Sequence, residues 1–267
     1  MRLNRLVPTM VGAATALLSV IGLSTTTIAA EPATAAGGEV PAVAPVSAVA
    51  APETDGAQTF IIDGEFATDA PWAARMFSNG SPVCSATIIA PEWILTATHC
   101  VGSPSATTFR VGSLDANGGG TVVGVAETVA HPVADITLVR IDQAVDAVYA
   151  PLGTVGDARV DDTVQLYGWG ATCTGNESGC QSQYLKYADT RVHTLDAQDW
   201  LGGDAIGVTR INGIAAGGDS GGPMFATSPV DGGYYQVGVA STSDRATVSF
   251  YTDITRYRDW ISSVAGV

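Results

Sequence analysis

Beyond Ile61 the chain alternates apolar and polar positions over short runs, with Gly, Pro, Asn and Asp between them. Period-two alternation broken by turn residues predicts strands rather than helices. Strands are expected over residues 73–78, 83–90, 93–97, 107–111, 121–130 and 136–141. A second set is expected over 164–169, 184–192, 205–209, 223–226, 234–241 and 247–252. Two groups of six predict an all-β fold of two barrels, over about 61–150 and 151–252. Their boundary falls in 144–158, a stretch with Pro151 and Gly153. A helical period appears only over 253–264, where Ile254, Tyr257, Trp260 and Ile261 share a face.

The first 60 residues do not share this pattern. Arg2 and Arg5 precede an apolar, small-residue run, and several small-residue cleavage sites follow. Residues 1–30 therefore read as a secretory signal, ending by 36 at the latest. The run is short for a membrane span and is broken by Ser and Thr. Residues 31–60 are rich in Ala, Pro, Val and Gly, and read as a propeptide; as an isolated sequence they would serve equally as a spacer. The remaining 207 residues suffice for a sizeable core. They carry 10 basic and 22 acidic residues, a net charge of −12, which argues against nucleic acid or an anionic membrane as partner.

Four cysteines, Cys84, Cys100, Cys173 and Cys180, suggest two disulfides in an exported chain, with three pairings open. Their spacings fit no zinc-ligand pattern, and no cofactor motif is visible, so neither metal nor cofactor is expected.

The strongest chemical signal is Gly218-Asp219-Ser220-Gly221-Gly222-Pro223. Glycines around a serine allow a tight turn that exposes the hydroxyl and leaves backbone N–H groups free for a substrate oxygen. A serine needs a base to take its proton. Of three histidines, His131 precedes a proline at a strand end and His193 sits in a charged strand, so both read as structural. His99, in Leu95-Thr96-Ala97-Thr98-His99-Cys100, follows an apolar run on a turn that Cys100 can pin. Asp135 opens the mostly apolar Asp135-Ile136-Thr137-Leu138-Val139. A carboxylate there is costly to bury without a partner, and an imidazole would be one.

In this order, His99, Asp135 and Ser220 resemble the chymotrypsin/trypsin-like serine proteases. The flanking Thr-Ala-(small)-His-Cys and Asp-Ile-(small)-Leu match that family, as do Ile61-Ile62-Asp63-Gly64 and Gly168-Trp169-Gly170. The style is closest to secreted bacterial members. The resemblance implies two six-stranded Greek-key barrels with a C-terminal helix, and a monomer acting on protein or peptide substrates. It makes Ser220 the nucleophile, His99 the base, Asp135 its orienting carboxylate, and the Gly218 and Ser220 N–H groups the oxyanion hole. Ser241 would support the buried aspartate and head the segment on which substrate pairs. Cleavage before Ile61 would release an ammonium to pair with Asp219, whose buried carboxylate requires a cation. Cys84 and Cys100 match the family disulfide that braces the histidine turn, which leaves Cys173 with Cys180.

The chain also departs from that pattern. Asp63 replaces a glycine. Ile214 stands where trypsin-type members carry aspartate, so cleavage after Lys or Arg is not expected. Ala216 stands where many members have a pocket-bracing cysteine. Ser241-Thr242-Ser243 replaces Ser-Trp-Gly, and Ser249 falls near a usual glycine. Side chains in place of glycines narrow the pocket, so Ile214 and Ser243 point to small or medium apolar residues on the acyl side of the cut bond (P1). Two rivals can be weighed. An inactive binding protein on the same scaffold would tend to lose a triad member, and here every position is filled. An α/β-hydrolase esterase needs a histidine after its serine, and none follows Ser220.

Overall fold

The computed structural model describes residues 61–267. The expected signal segment and propeptide lie outside the described residues. Thirteen strands occur among the described residues: β1 (Glu65–Phe66), β2 (Ala73–Ser78), β3 (Ser81–Ala90), β4 (Trp93–Thr96), β5 (Thr107–Val111), β6 (Thr121–Ala130), β7 (Thr137–Ile141), β8 (Thr163–Gly168), β9 (Lys186–Gln198), β10 (Asp204–Arg210), β11 (Pro223–Thr227), β12 (Tyr234–Ser243) and β13 (Val248–Asp253). A single α-helix among the same residues, α1 (Arg258–Ala265), follows them.

The first six long strands close into a barrel in the order β2-β3-β4-β7-β6-β5. Strand β7 pairs with β4 and β5 returns to β2, so the chain doubles back across the barrel end. Every pairing is antiparallel. In β5, Thr107, Phe109 and Val111 are buried while Thr108 and Arg110 are not, the alternation that marks a strand with one wet face. Strands β9-β10-β13-β12-β11-β8 form the second barrel, closed by β8 against β9. Trp72, just before β2, packs on Tyr167 at 5.0 Å and Phe225 at 4.3 Å, which joins the two cores.

Three expectations shift. Strand β1 pairs with β9, so residues 65–66 belong to the second barrel and not the first. Strand β9 runs to Gln198, past the expected end at 192, because β10 supplies backbone partners through two register shifts. The helix begins at Arg258 rather than 253: the Asp253 carboxylate accepts from Thr255 N at 3.1 Å and Thr255 Oγ1 at 2.6 Å, which holds this stretch in a turn.

Candidate active site

His99 sits on a 3₁₀ turn, Thr98–Cys100, directly after β4. The Cys84–Cys100 disulfide ties that turn to β3, and Thr98 Oγ1 donates to Ile136 O at 2.9 Å. Asp135, at the entry to β7, is fully buried. Its Oδ1 accepts from His99 N at 3.1 Å. Its Oδ2 lies 2.7 Å from His99 Nδ1 and accepts from Ser241 Oγ at 2.7 Å. An ionised carboxylate only accepts, so the imidazole proton belongs on Nδ1 and Nε2 keeps its lone pair. A second buried carboxylate stands behind: Asp199 Oδ2 accepts from Asp135 N at 2.8 Å and Thr252 Oγ1 at 2.9 Å.

Ser220 lines the same cleft as His99. Its turn is fixed by main-chain bonds to both barrels, Ser85 N to Ser220 O at 2.9 Å and Gly221 N to Ala240 O at 2.9 Å. Gly217 O accepts from Ala171 N at 2.8 Å and Gln181 Nε2 at 2.6 Å. Asp219 O accepts from Gly222 N at 2.8 Å. In a trans peptide the N–H points opposite its C=O. The N–H groups of Gly218 and Ser220 therefore point away from these anchors, and neither meets a protein acceptor among the described residues. Gly218 has φ +100°, and a Cβ there would collide with the Gln181 amide, so only glycine fits.

The Asp219 carboxylate is buried between Gly168 and Gly170, where any Cβ would strike it. It accepts from Gly170 N at 2.7 Å and Ala216 N at 2.8 Å. Burial pushes its pKa up to about 6, against the pull of these amides and of Arg75 and Lys186. Two buried cations, Arg75 and Lys186, thus act on Asp219 in addition to the expected Ile61 ammonium. Ile61 is itself buried, and Ile62 bridges to Ile214. Asp63 takes a left-handed φ of 74°, which explains the usual glycine there, and an ion pair with Arg210 holds it.

The cleft encloses about 570 Å³ and, besides His99 and Ser220, is lined by small residues from 215–216 and 240–243, Thr242 among them, together with Trp200 and Arg245. Ile214 does not line it: with its main chain paired to Ile62, the side chain is fully buried behind the wall. Ser243 Oγ donates to Ala215 O at 2.7 Å, tying the two walls together. Ser249 Oγ backs it at 3.0 Å. Among the described residues of the lining there is no carboxylate. The Cys173–Cys180 loop braces one wall, since Glu177 pairs with Arg245 at 2.8 Å and Gln181 holds Gly217. His131 packs on Tyr257 and Trp260, and His193 on Phe250, so neither reaches the cleft. Sequence reasoning missed Trp200, Arg245, Arg75 and Asp199. A lone Arg in the apolar strand 73–78 was the one available signal.

Two antiparallel barrels with a Ser, His and Asp grouped at their junction define a class, the chymotrypsin-like serine hydrolases. The comparisons narrow it. The trypsin family profile matches residues 61–261, and the chain belongs to that family. It is 28% identical to "Trypsin iota" of Drosophila melanogaster over 222 residues, covering 74% of this chain and 84% of the relative. It is 31% identical to "Chymotrypsin-like elastase family member 1" of Macaca fascicularis over 243 residues, covering 76% and 88%. Among solved structures, neuropsin, a serine protease of mouse brain, superposes with a TM-score of 0.65 at 21% identity, covering 76% of this chain and 99% of that one, a likeness of fold. The relatives are animal proteins, so the expected bacterial affinity finds no support in them.

Proposed function

We propose that this protein is a secreted serine endopeptidase that works through an acyl-enzyme. The observation that carries the reading is the bonded series Ser241–Asp135–His99, opening on the same cleft as Ser220. Ser220 Oγ attacks the peptide carbonyl while His99 Nε2 takes its proton. His99 then returns the proton to the leaving amine, and a water repeats the sequence to release the acid. Asp135 keeps His99 in the productive tautomer and stabilises the imidazolium. The Gly218 and Ser220 N–H groups receive the developing oxyanion, each worth about 3 kcal/mol in the transition state.

Cleavage before Ile61 belongs to this proposal, with the new ammonium joining the cations around Asp219. N-terminal sequencing of the active form tests it, and an active enzyme starting well before Ile61 would sink it. The P1 preference is for small to medium apolar side chains: the Ser243 Oγ–Ala215 O bond ties the walls of the cleft together, and the described lining offers no carboxylate to a Lys or Arg side chain. Labelling of the processed protein by a serine-directed fluorophosphonate, abolished in Ser220→Ala, tests the enzyme reading itself. Absence of labelling in correctly processed protein favours a binding module.

A further inference from the structure

Among the described residues, Arg75 is the bulkiest fully buried charged side chain. It sits in the middle of β2 in the first barrel, fully buried, with apolar Ala74 and Met76 beside it. A guanidinium in such a place carries a heavy desolvation cost unless its donors are used. Among the described residues Nε has no acceptor, and the two terminal nitrogens are used, chiefly across the barrel junction. Nη1 donates to Gly218 O at 3.0 Å and to Cys84 O at 3.3 Å. Nη2 donates to Gln181 Oε1 at 2.6 Å. Gln181 passes the contact on, since its Nε2 donates to Gly217 O at 2.6 Å. Ser85 Oγ is a second donor to Gly218 O, at 2.9 Å.

One arm of Arg75 thus holds the Gly218 carbonyl, and the other, through Gln181, holds the Gly217 carbonyl. The Gly217 carbonyl shares a peptide plane with the Gly218 N–H. Pulling that oxygen toward β2 turns the N–H toward the cleft. The same guanidinium lies in the field of Asp219, as does Lys186, whose Nζ donates to Gly64 O at 3.0 Å from β9. Burial lowers the Arg75 pKa to about 10, so the group is charged at neutral pH.

We propose that Arg75 is a positioning residue for the oxyanion turn: it aims the Gly218 N–H at the reacting carbonyl without touching substrate. The proposal rests on the protease reading, in which Gly218 is an oxyanion donor. Its contribution is greatest where negative charge develops, so it acts on kcat and on mimics of that charge, and leaves ground-state binding of the substrate alone.

The experiment uses the processed enzyme carrying Arg75→Met, Arg75→Lys, Gln181→Leu or Ser85→Ala. Readouts are kcat and KM on a peptide anilide, affinity for a peptidyl boronate that places an oxyanion beside Ser220, and affinity for the matching product peptide. Arg75→Met is expected to lower kcat and boronate affinity about tenfold or more, with KM and product affinity nearly unchanged. Arg75→Lys, which keeps the charge but loses the two-armed geometry, recovers part of this. Ser85→Ala and Arg75→Met act on one carbonyl, so their effects combine non-additively. A folded Arg75→Met with kcat and boronate affinity within about twofold of wild type overturns the proposal. Where Arg75→Met does not fold, Gln181→Leu and Ser85→Ala decide: loss of boronate affinity supports the proposal, and unchanged affinity in both overturns it. Failure of wild type to be labelled by fluorophosphonate removes the protease reading instead, a distinct outcome.

Discussion

Ser243→Gly tests how the pocket selects its substrate. Ser243 Oγ donates to Ala215 O at 2.7 Å and receives Ser249 Oγ at 3.0 Å, so one hydroxymethyl bridges the walls. Its removal takes the hydroxymethyl out from between the walls and is expected to admit a larger P1 side chain. Burying a Phe side chain contributes about 1.5–3 kcal/mol relative to leaving it exposed. At 1.4 kcal/mol per factor of ten, that is about a 10- to 100-fold gain in kcat/KM for Phe. The lost hydrogen bond costs about 1 kcal/mol, but it falls on every substrate and cancels in a ratio. The assay is therefore the ratio of kcat/KM for P1 Phe to P1 Ala in otherwise identical peptide anilides, with Leu and Lys as further points. Wild type is expected to favour Ala and the variant to raise the ratio at least tenfold. A wild-type enzyme that prefers Phe or Lys, or a ratio that moves less than about threefold in Ser243→Gly, refutes the reasoning.

Other outcomes follow from the same geometry. Asp135→Asn reverses the imidazole tautomer and is expected to lower kcat about 10⁴-fold with KM nearly kept, as stopped-flow and steady-state rates would show. Replacing both Cys173 and Cys180 by Ser opens a loop with a sequence separation of 7. Loop-closure entropy puts the loss at about 2–3 kcal/mol, read as a lower melting temperature in an inactive Ser220→Ala background. Burial raises the Asp219 pKa to about 6 from 3.8. The folded chain then keeps a proton the unfolded chain has released, so the stability Asp219 contributes is full below 3.8 and is lost as pH rises through 6. Thermal melts from pH 3.5 to 6.5 are expected to fall less steeply for Asp219→Asn than for its parent; parallel curves would count against the assignment.

Strands whose alternation is bounded by turn residues were legible in the sequence. Residues 107–111 and 121–130 have the predicted limits. The far end of β9 was not, because the polar run 193–198 becomes a strand only through the partner strand β10. Helix α1 starts late for a similar reason: the periodic Ile254 and Tyr257 belong to a turn whose cause is the side chain of Asp253. In the site, His99, Asp135 and Ser220 carry local signatures because a turn, a strand entry and a glycine run each constrain nearby residues. Asp199 carries none, and Arg75 only its isolation in an apolar strand, which does not say what it binds. Their partners lie far away in sequence, Gly218 at a separation of 143 from Arg75 and Asp135 at 64 from Asp199. Ile214 was misplaced for the same cause, since its direction is set by pairing with Ile62.

The site is divided between the barrels, and this division explains where its buried polar groups lie. His99 and Asp135 come from the first barrel, Ser220 and Ser241 from the second. Apolar contact between the two, through Trp72, Tyr167 and Phe225, is strong but non-directional and tolerates small slides. The proton transfer proposed between His99 and Ser220 would not tolerate them. The junction is therefore crossed by directional bonds: Arg75 and Ser85 side chains to Gly218 O, Ser85 N to Ser220 O, and Ser241 Oγ to Asp135. Each joins a residue of one barrel to the catalytic segment of the other. Buried hydrogen bonds contribute modestly to net stability, about 1 kcal/mol each, but are expensive to leave unmade. A slide that broke these four together would strip the buried Gly218 and Ser220 carbonyls of the donors from Arg75 and Ser85. The polar junction thus gives the apolar interface a single register, and the register places Ser220 opposite His99.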